Sequence, residues 1–387
     1  MVKINKQIIK INEENAFSNV AKLVDEYKQK HPDCDIVSLG VGDVTRPIVM
    51  PVIEAMHKAV DDLASEETFK GYNADGYDFL KTTILHNNYK DLGFTNEEIH
   101  ISNGTKTDAT SILELFDINT KICVTNAMYP VYLNGAHVLN RRVDVLEAKE
   151  ENNFMPDLPK EKYDIIYICS PSNPTGIAYT YEELKKWIDY AIKNKSIILY
   201  DNVYASFISS KNVPKTIYEI DGAKQVAIEM NSFSKMASFT GLRCSYYIIP
   251  NEIYKDINKI WKKRTINRFN GTDYIAERGA EAVYLPESQA LIKENMLYYK
   301  ESIKRLKECF IRLGFTVYGG IDAPYIWVKI KENIKSWELF DLYLEKLNII
   351  IIPGIIFGND NYFRVSGLGK RSDIDKAIER IMKYYEK

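Results

Sequence analysis

Short, unbroken apolar runs recur through the first two thirds of the chain, each separated from the next by a helical pattern. IHIS (99–102), KICVTN (121–126), YDIIYICSP (163–171), SIILYDN (196–202), QVAIEM (225–230) and SYYIIP (245–250) lack a regular polar–apolar alternation. A strand with one face in water alternates, whereas a strand covered on both faces does not. The runs therefore predict a mainly parallel sheet buried between helices such as TDATSILELF (107–116) and TYEELKKWIDYAIKN (180–194). Thr180 and Glu183 read as a capping box at the start of the second helix. Strand and helix in alternation define an α/β fold, which binds ligands at the C-terminal ends of its strands.

From about Leu285 the texture changes. A long amphipathic pattern, 287–314, stops at a glycine, and YIWVKI, WELFDLYLEKL, IIIIPG, YFRVSG and a closing helix follow. The order strand–helix–strand–strand–helix predicts a smaller α+β domain. We divide the chain into an N-terminal segment packing with the small domain (1–45), a large domain (46–285) and a small C-terminal domain (286–387). A length of 387 residues at 45% hydrophobic composition is ample for two cores. A net charge of −2 gives no field to steer the chain to nucleic acid or an anionic membrane. The five cysteines are scattered without CxxC spacing, as expected in a reducing compartment. The N-terminal MVKINKQIIKINEEN has no apolar signal region, and the longest apolar run is broken by Pro353 and Gly354. A soluble cytoplasmic protein is expected, in which the sequons at Asn103 and Asn270 carry little weight.

Chemistry collects at the predicted strand ends. SFSKMASFTGLR (232–243) holds Lys235 among small polar residues, where partial desolvation lowers an amine's pKa and makes it nucleophilic toward carbonyls. An ordinary surface lysine beside a strand end fits that stretch alone equally well. SPSNPTG (170–176) fixes Asn173 in a proline-bounded turn, and YDNVY (200–204) ends the next strand with Asp201 and Tyr204. SNGTKTD (102–108) joins strand to helix through a glycine, leaving N–H groups and Lys106 to face an anion.

With these motifs in this order the chain resembles the fold-type I pyridoxal-phosphate enzymes of the class I/II aminotransferase group, from GVGD near the N-terminus to FRVSG near the C-terminus. The resemblance implies a large domain with a mostly parallel seven-stranded sheet, a small α+β domain, and pyridoxal 5'-phosphate as cofactor. It gives Lys235 the covalent link to the cofactor and the proton transfer in turnover, and pairs Asp201 with the pyridinium nitrogen. Tyr204 and Asn173 match residues that bond the ring's phenolic oxygen, and Tyr129 matches the aromatic stacked on the ring. Thr105, Lys106, Ser232 and Arg243 match the phosphate site. Arg364 matches the arginine that grips the substrate α-carboxylate, with Gly42, Lys106 and Asn173 beside it. Tyr72 and Asn270 match positions that reach a neighbouring subunit's site, so a homodimer with shared active sites is implied. The substrates implied are an amino acid and a 2-oxo acid.

Within the group, SLGVGDVTRP, TFKGYN, YPVY, SPSNPTG, SFSKMASFTGLR and FNGTDYIAERGAEAVY are similar to the LL-diaminopimelate aminotransferase subfamily, which implies exchange with 2-oxoglutarate in lysine biosynthesis. Departures cluster near the distal substrate pocket. Asn15-Ala16-Phe17 stands where the subfamily has YLF, and GYNADGY is one residue shorter than its counterpart, with Asp75 as a stand-in for a partner-reaching glutamate. SNGTK replaces SDGAK, and Ser238 replaces a glycine. Other functions use the same motifs: an aminotransferase for another amino acid, a carbon–sulfur lyase or decarboxylase on this fold, the α-carboxylate arginine arguing against decarboxylation, and a non-enzymatic regulator, which would need an appended DNA-binding domain for which no room is expected. LGVGDV (39–44) lacks the third glycine of a dinucleotide fingerprint, and Gly104 with Lys106 lacks Walker spacing. The basic run 262–268 reads as a solvated helix face, and five scattered histidines leave no metal site expected.

Overall fold

The computed structural model describes residues 2–9, 11, 16–40 and 42–386. Seven strands form the main sheet, in the spatial order 99–102, 245–248, 227–232, 197–201, 165–169, 122–125, 143–146. Every pairing is parallel except those of the 245–248 strand, which runs antiparallel to both neighbours. Both faces are covered, which explains the continuous apolar runs. Ile166 and Ile168 face a core shared with Leu184 and Ile188, whereas Ile165 and Tyr167 face a second core with Ile112 and Tyr132. The Thr180 capping box is present, with Glu183 N–H donating to Thr180 Oγ1 at 3.3 Å and Thr180 N–H to Glu183 Oε2 at 2.7 Å.

Two details differ from the sequence reading. The QVAIEM strand begins later, at Ala227, and continues through Asn231 and Ser232. Its buried Glu229 is held by bonds from Tyr89, Thr216, Asn231 and the Ile217 amide. Val143–Leu146 adds an edge strand that pairs on one side only.

A four-stranded antiparallel sheet, in the order 352–353, 362–366, 325–329, 317–319, builds the smaller unit. Val37–Ser38 pairs in parallel with Ile349–Ile350, and Val20, Val24, Val37 and Leu39 share the smaller unit's apolar core. The Pro286–Arg312 helix serves both cores: Ile292, Met296 and Tyr299 pack into the large one, and Ile303, Leu306 and Phe310 into the small. Among the described residues no helix is long and apolar enough to cross a membrane.

Candidate active site

Cys169, Asp201 and Met230 lie level on the three central parallel strands, the first two at the strand ends and the third two residues before its own, because Cys169 pairs with Asp201 and Asp201 with Met230. The segments that follow, carrying Asn173, Tyr204 and Lys235, therefore turn over one edge. There they meet the Gly104 turn, Gly40, Gly42 and Asp43, and the Tyr362–Ser366 strand bearing Arg364. A cleft of about 370 Å³ lies between them. Lys235, Asp201, Tyr204 and Asn173 line it. So do Thr105, Lys106, Ser232 and Arg243, and Gly42, Tyr129 and Arg364.

Asp201 is 6% exposed. Burial pushes its carboxyl up to about 6, against the lowering effect of bonds from the Tyr132 hydroxyl and the Val203 amide. Tyr132 Oη donates to Asp201 Oδ2 at 2.5 Å, and its ring stacks on Tyr167 at 4.9 Å. Tyr204 and Tyr325 share a hydroxyl contact of 3.0 Å. Lys235 is half-buried and its amine donates to the Gly42 carbonyl. Burial, aided by Arg364 and Arg243, brings that amine down to about 8, with Asp43 opposing. Lys235 and Arg243 thus line an open cleft and are not enclosed in the core.

Arg364 is 2% exposed and spans three segments. Its Nη1 donates to Asn173 Oδ1 at 2.8 Å and its Nη2 to the Gly40 carbonyl at 3.0 Å. The Tyr325, Phe357 and Phe17 rings surround the guanidinium at 4.6, 5.1 and 5.7 Å. Each Nη keeps a second N–H, and Nε is buried with no protein acceptor. With Oδ1 committed to Arg364, Asn173 is left with its donor end for a ligand.

Tyr72 and Asn270 are not in this cleft. Tyr72 is 90% exposed, and Asn270 is exposed on a neighbouring loop. The two loops touch, since a Cβ on Gly271 would fall 2.0 Å from the Asn73 carbonyl. Asp75 is not turned outward as a substrate-facing stand-in. It bonds Lys81 and His100 of its own chain, both at 2.7 Å, and His100 reaches Asn258 at 2.8 Å. Asn15 lies outside the described residues. Tyr132 and Tyr325 are site residues that the sequence reading left unassigned. Tyr132, three positions after Tyr129, sits one helical turn deeper in YPVY, and that spacing is the one signal pointing to it.

The residues fit pyridoxal phosphate. Gly104 has φ +124°, and a Cβ there would fall 1.9 Å from Arg243 Nη2, so the turn can lie against the guanidinium only as glycine. Thr105 and Ser232 line the same cleft as that cation and carry hydroxyls, the donors that a phosphate dianion requires. Asp201 lines the same cleft with a buried carboxyl that would suit a ring nitrogen.

A cleft that offers a lysine amine, a buried carboxylate and a fixed guanidinium at the edge of such a sheet defines an enzyme acting on amino acids through a carbonyl cofactor. The aminotransferase class I and II family description matches residues 34–381. The LL-diaminopimelate aminotransferase of Azobacteroides pseudotrichonymphae is 43% identical over 100% of both chains. That of Methanosphaera stadtmanae is 41% identical over 99% of each. The solved L,L-diaminopimelate aminotransferase from Chlamydomonas reinhardtii superposes with a TM-score of 0.94, at 36% identity and 99% coverage of both chains. The chain belongs to the aminotransferase class I and II family. It is a pyridoxal-phosphate-dependent transaminase of fold type I.

Proposed function

We propose that the chain exchanges an amino group between LL-diaminopimelate and 2-oxoglutarate, as a cytoplasmic homodimer. Full-length similarity to relatives of that name supports the substrate. The observation that carries the chemistry is Lys235, Asp201 and Arg364 meeting in one cleft. When bound, pyridoxal phosphate supplies an electron sink conjugated to the substrate Cα.

The chain's own residues do the rest. Lys235 holds the cofactor covalently and, once released, carries the proton to and from the substrate Cα; an amine near 8 suits both duties around neutral pH. Asp201 keeps the ring nitrogen protonated, and Tyr132 keeps Asp201 ionised. Asn173 and Tyr204 bond the ring's phenolic oxygen, and Tyr129 covers its face. Thr105, Lys106, Ser232 and Arg243 hold the phosphate. Arg364 takes the α-carboxylate as a fork, with Gly42 closing over it and Asn173 and Lys106 beside it. Tyr72 and Asn270 serve the neighbouring subunit's cofactor, which accounts for their exposure in the single chain. The domain division at 45 and 285 belongs to the same reading.

The test is a half-reaction. LL-diaminopimelate is added to the cofactor-loaded protein without acceptor, and the absorbance of the lysine-bound cofactor is followed; glutamate is added separately. Bleaching by LL-diaminopimelate, reversed by 2-oxoglutarate, is the expected result. Bleaching by glutamate alone would discard diaminopimelate and send the search to other donors.

A further inference from the structure

Behind the Gly104 turn lies a buried carboxyl group that none of these roles uses. Asp108, in the Thr105–Ser111 helix, is 5% exposed. It meets two serines from antiparallel strands, Ser102 and Ser245, which are register partners. Ser102 Oγ donates to Asp108 Oδ2 at 2.5 Å and Ser245 Oγ donates to the same oxygen at 2.9 Å, while the two hydroxyls lie 2.6 Å apart. Ser245 Oγ in turn accepts the Gly104 N–H at 2.8 Å. A continuous relay therefore runs from the carboxyl group, through a serine hydroxyl, to the amide of the residue that lies against Arg243.

Geometry gives the relay its consequence. Gly104 adopts a φ that side-chain-bearing residues rarely take, so its conformation needs fixing from outside. Thr105 Oγ1 anchors the next residue to the Asn231 carbonyl at 3.0 Å, and the Gly104 amide is anchored to Ser245. A hydroxyl can rotate, and it presents a lone pair in a set direction only when its own proton has a fixed acceptor. Asp108 is that acceptor for Ser245. Burial pushes Asp108 up to about 7, the two serine bonds and Arg264 opposing, so it serves as an acceptor without imposing a full charge beside a phosphate.

We propose that Asp108 is a positioning residue for the phosphate end of the site, acting through Ser245 to fix the Gly104 turn against Arg243. This rests on the reading that the cofactor phosphate occupies that turn.

The experiment titrates the cofactor-free protein with pyridoxal phosphate and, separately, with pyridoxal, which has the same ring and aldehyde without the phosphate. Asp108→Ala is expected to weaken pyridoxal phosphate at least about tenfold, as for loss of aligned charge-assisted bonds, while pyridoxal stays within about twofold. Ser245→Ala should do the same, which keeps the test available if Asp108→Ala fails to fold. Asp108→Asn retains an acceptor oxygen and should recover most of the affinity. A fall in both ligands together would mean a general structural defect and would overturn the inference, as would no change in either. If the wild type itself prefers pyridoxal phosphate no more than pyridoxal, the phosphate placement fails and the inference with it. A wild-type preference untouched by Asp108→Ala removes the inference alone.

Discussion

The floor of the cleft and the outer loops that carry Tyr72 and Asn270 are built in opposite ways. On the floor, Asp201 is bonded to Tyr132, Tyr204 to Tyr325, and Arg364 to Asn173 and Gly40, all buried and all within one chain. Outside the cleft, Tyr72 and Asn270 stand on exposed loops that touch each other, and Asp75 is turned inward to Lys81 and His100. Preorganised groups cost little reorganisation when charge develops, and that is what the shared chemistry of a transaminase needs. On the proposed reading, the outer loops meet the neighbouring subunit. On that reading the floor carries the reaction, and the outer loops complete the site of the other copy.

Four changes test that contrast, beginning with the most severe. Lys235→Ala removes the one amine on the floor that can both hold the cofactor and move the proton. Turnover should fall at least about 10⁴-fold, with bound cofactor released on denaturation. Wild-type absorbance of the lysine-bound cofactor in this variant would overthrow the site assignment. Arg364→Lys keeps the charge but removes the fork and the stacking. We expect kcat/KM to drop about 100-fold, mainly through KM for the amino donor.

Tyr132→Phe is milder. The Tyr132 bond lowers the pKa of Asp201, so its removal raises that pKa above about 6. Activity needs Asp201 ionised, so the acidic limb of the pH–rate profile should move to higher pH. The rate at pH 8 should fall by no more than about tenfold. An unmoved limb would mean that Tyr132 packs without tuning.

The smallest effect lies in the core beside Tyr77. Burial pushes Glu277 up to about 8, and its Oε2 accepts the Tyr77 amide at 2.9 Å. The folded chain then holds a proton that the unfolded chain has lost, so stability declines as pH rises from about 4.5 toward 8. Glu277→Gln removes that decline. Its melting temperature should exceed wild type by about 2 °C or more at pH 8.5 and differ little at pH 5.

The floor was largely legible because its residues follow unbroken apolar runs, and a polar residue just past a buried strand has few other places to go. Asp201, Asn173 and Lys235 drew attention in this way, whereas Arg364 lies inside the Tyr362–Ser366 strand and was named only through the family resemblance, which also supplied the roles of the other three. Tyr132 was hidden among 27 tyrosines, since its role depends on a helical turn directing it under the sheet edge. The Val143–Leu146 strand escaped because it pairs on one side and is only partly buried, so it lacks the apolar continuity of its neighbours. Asp75 misled for a related reason: a loop carboxylate reads as outward-facing unless its partners Lys81 and His100, six and twenty-five residues away, are seen to converge on it.

The Pro286–Arg312 helix has a thermodynamic consequence. It is about 40 Å long and contributes side chains to both apolar cores. Fraying it from either end strips contacts from one core while weakening the scaffold on which the other is assembled. The two lobes are thereby joined in a single cooperative unit, and denaturant should melt them in one transition whose steepness reflects the surface of the whole chain.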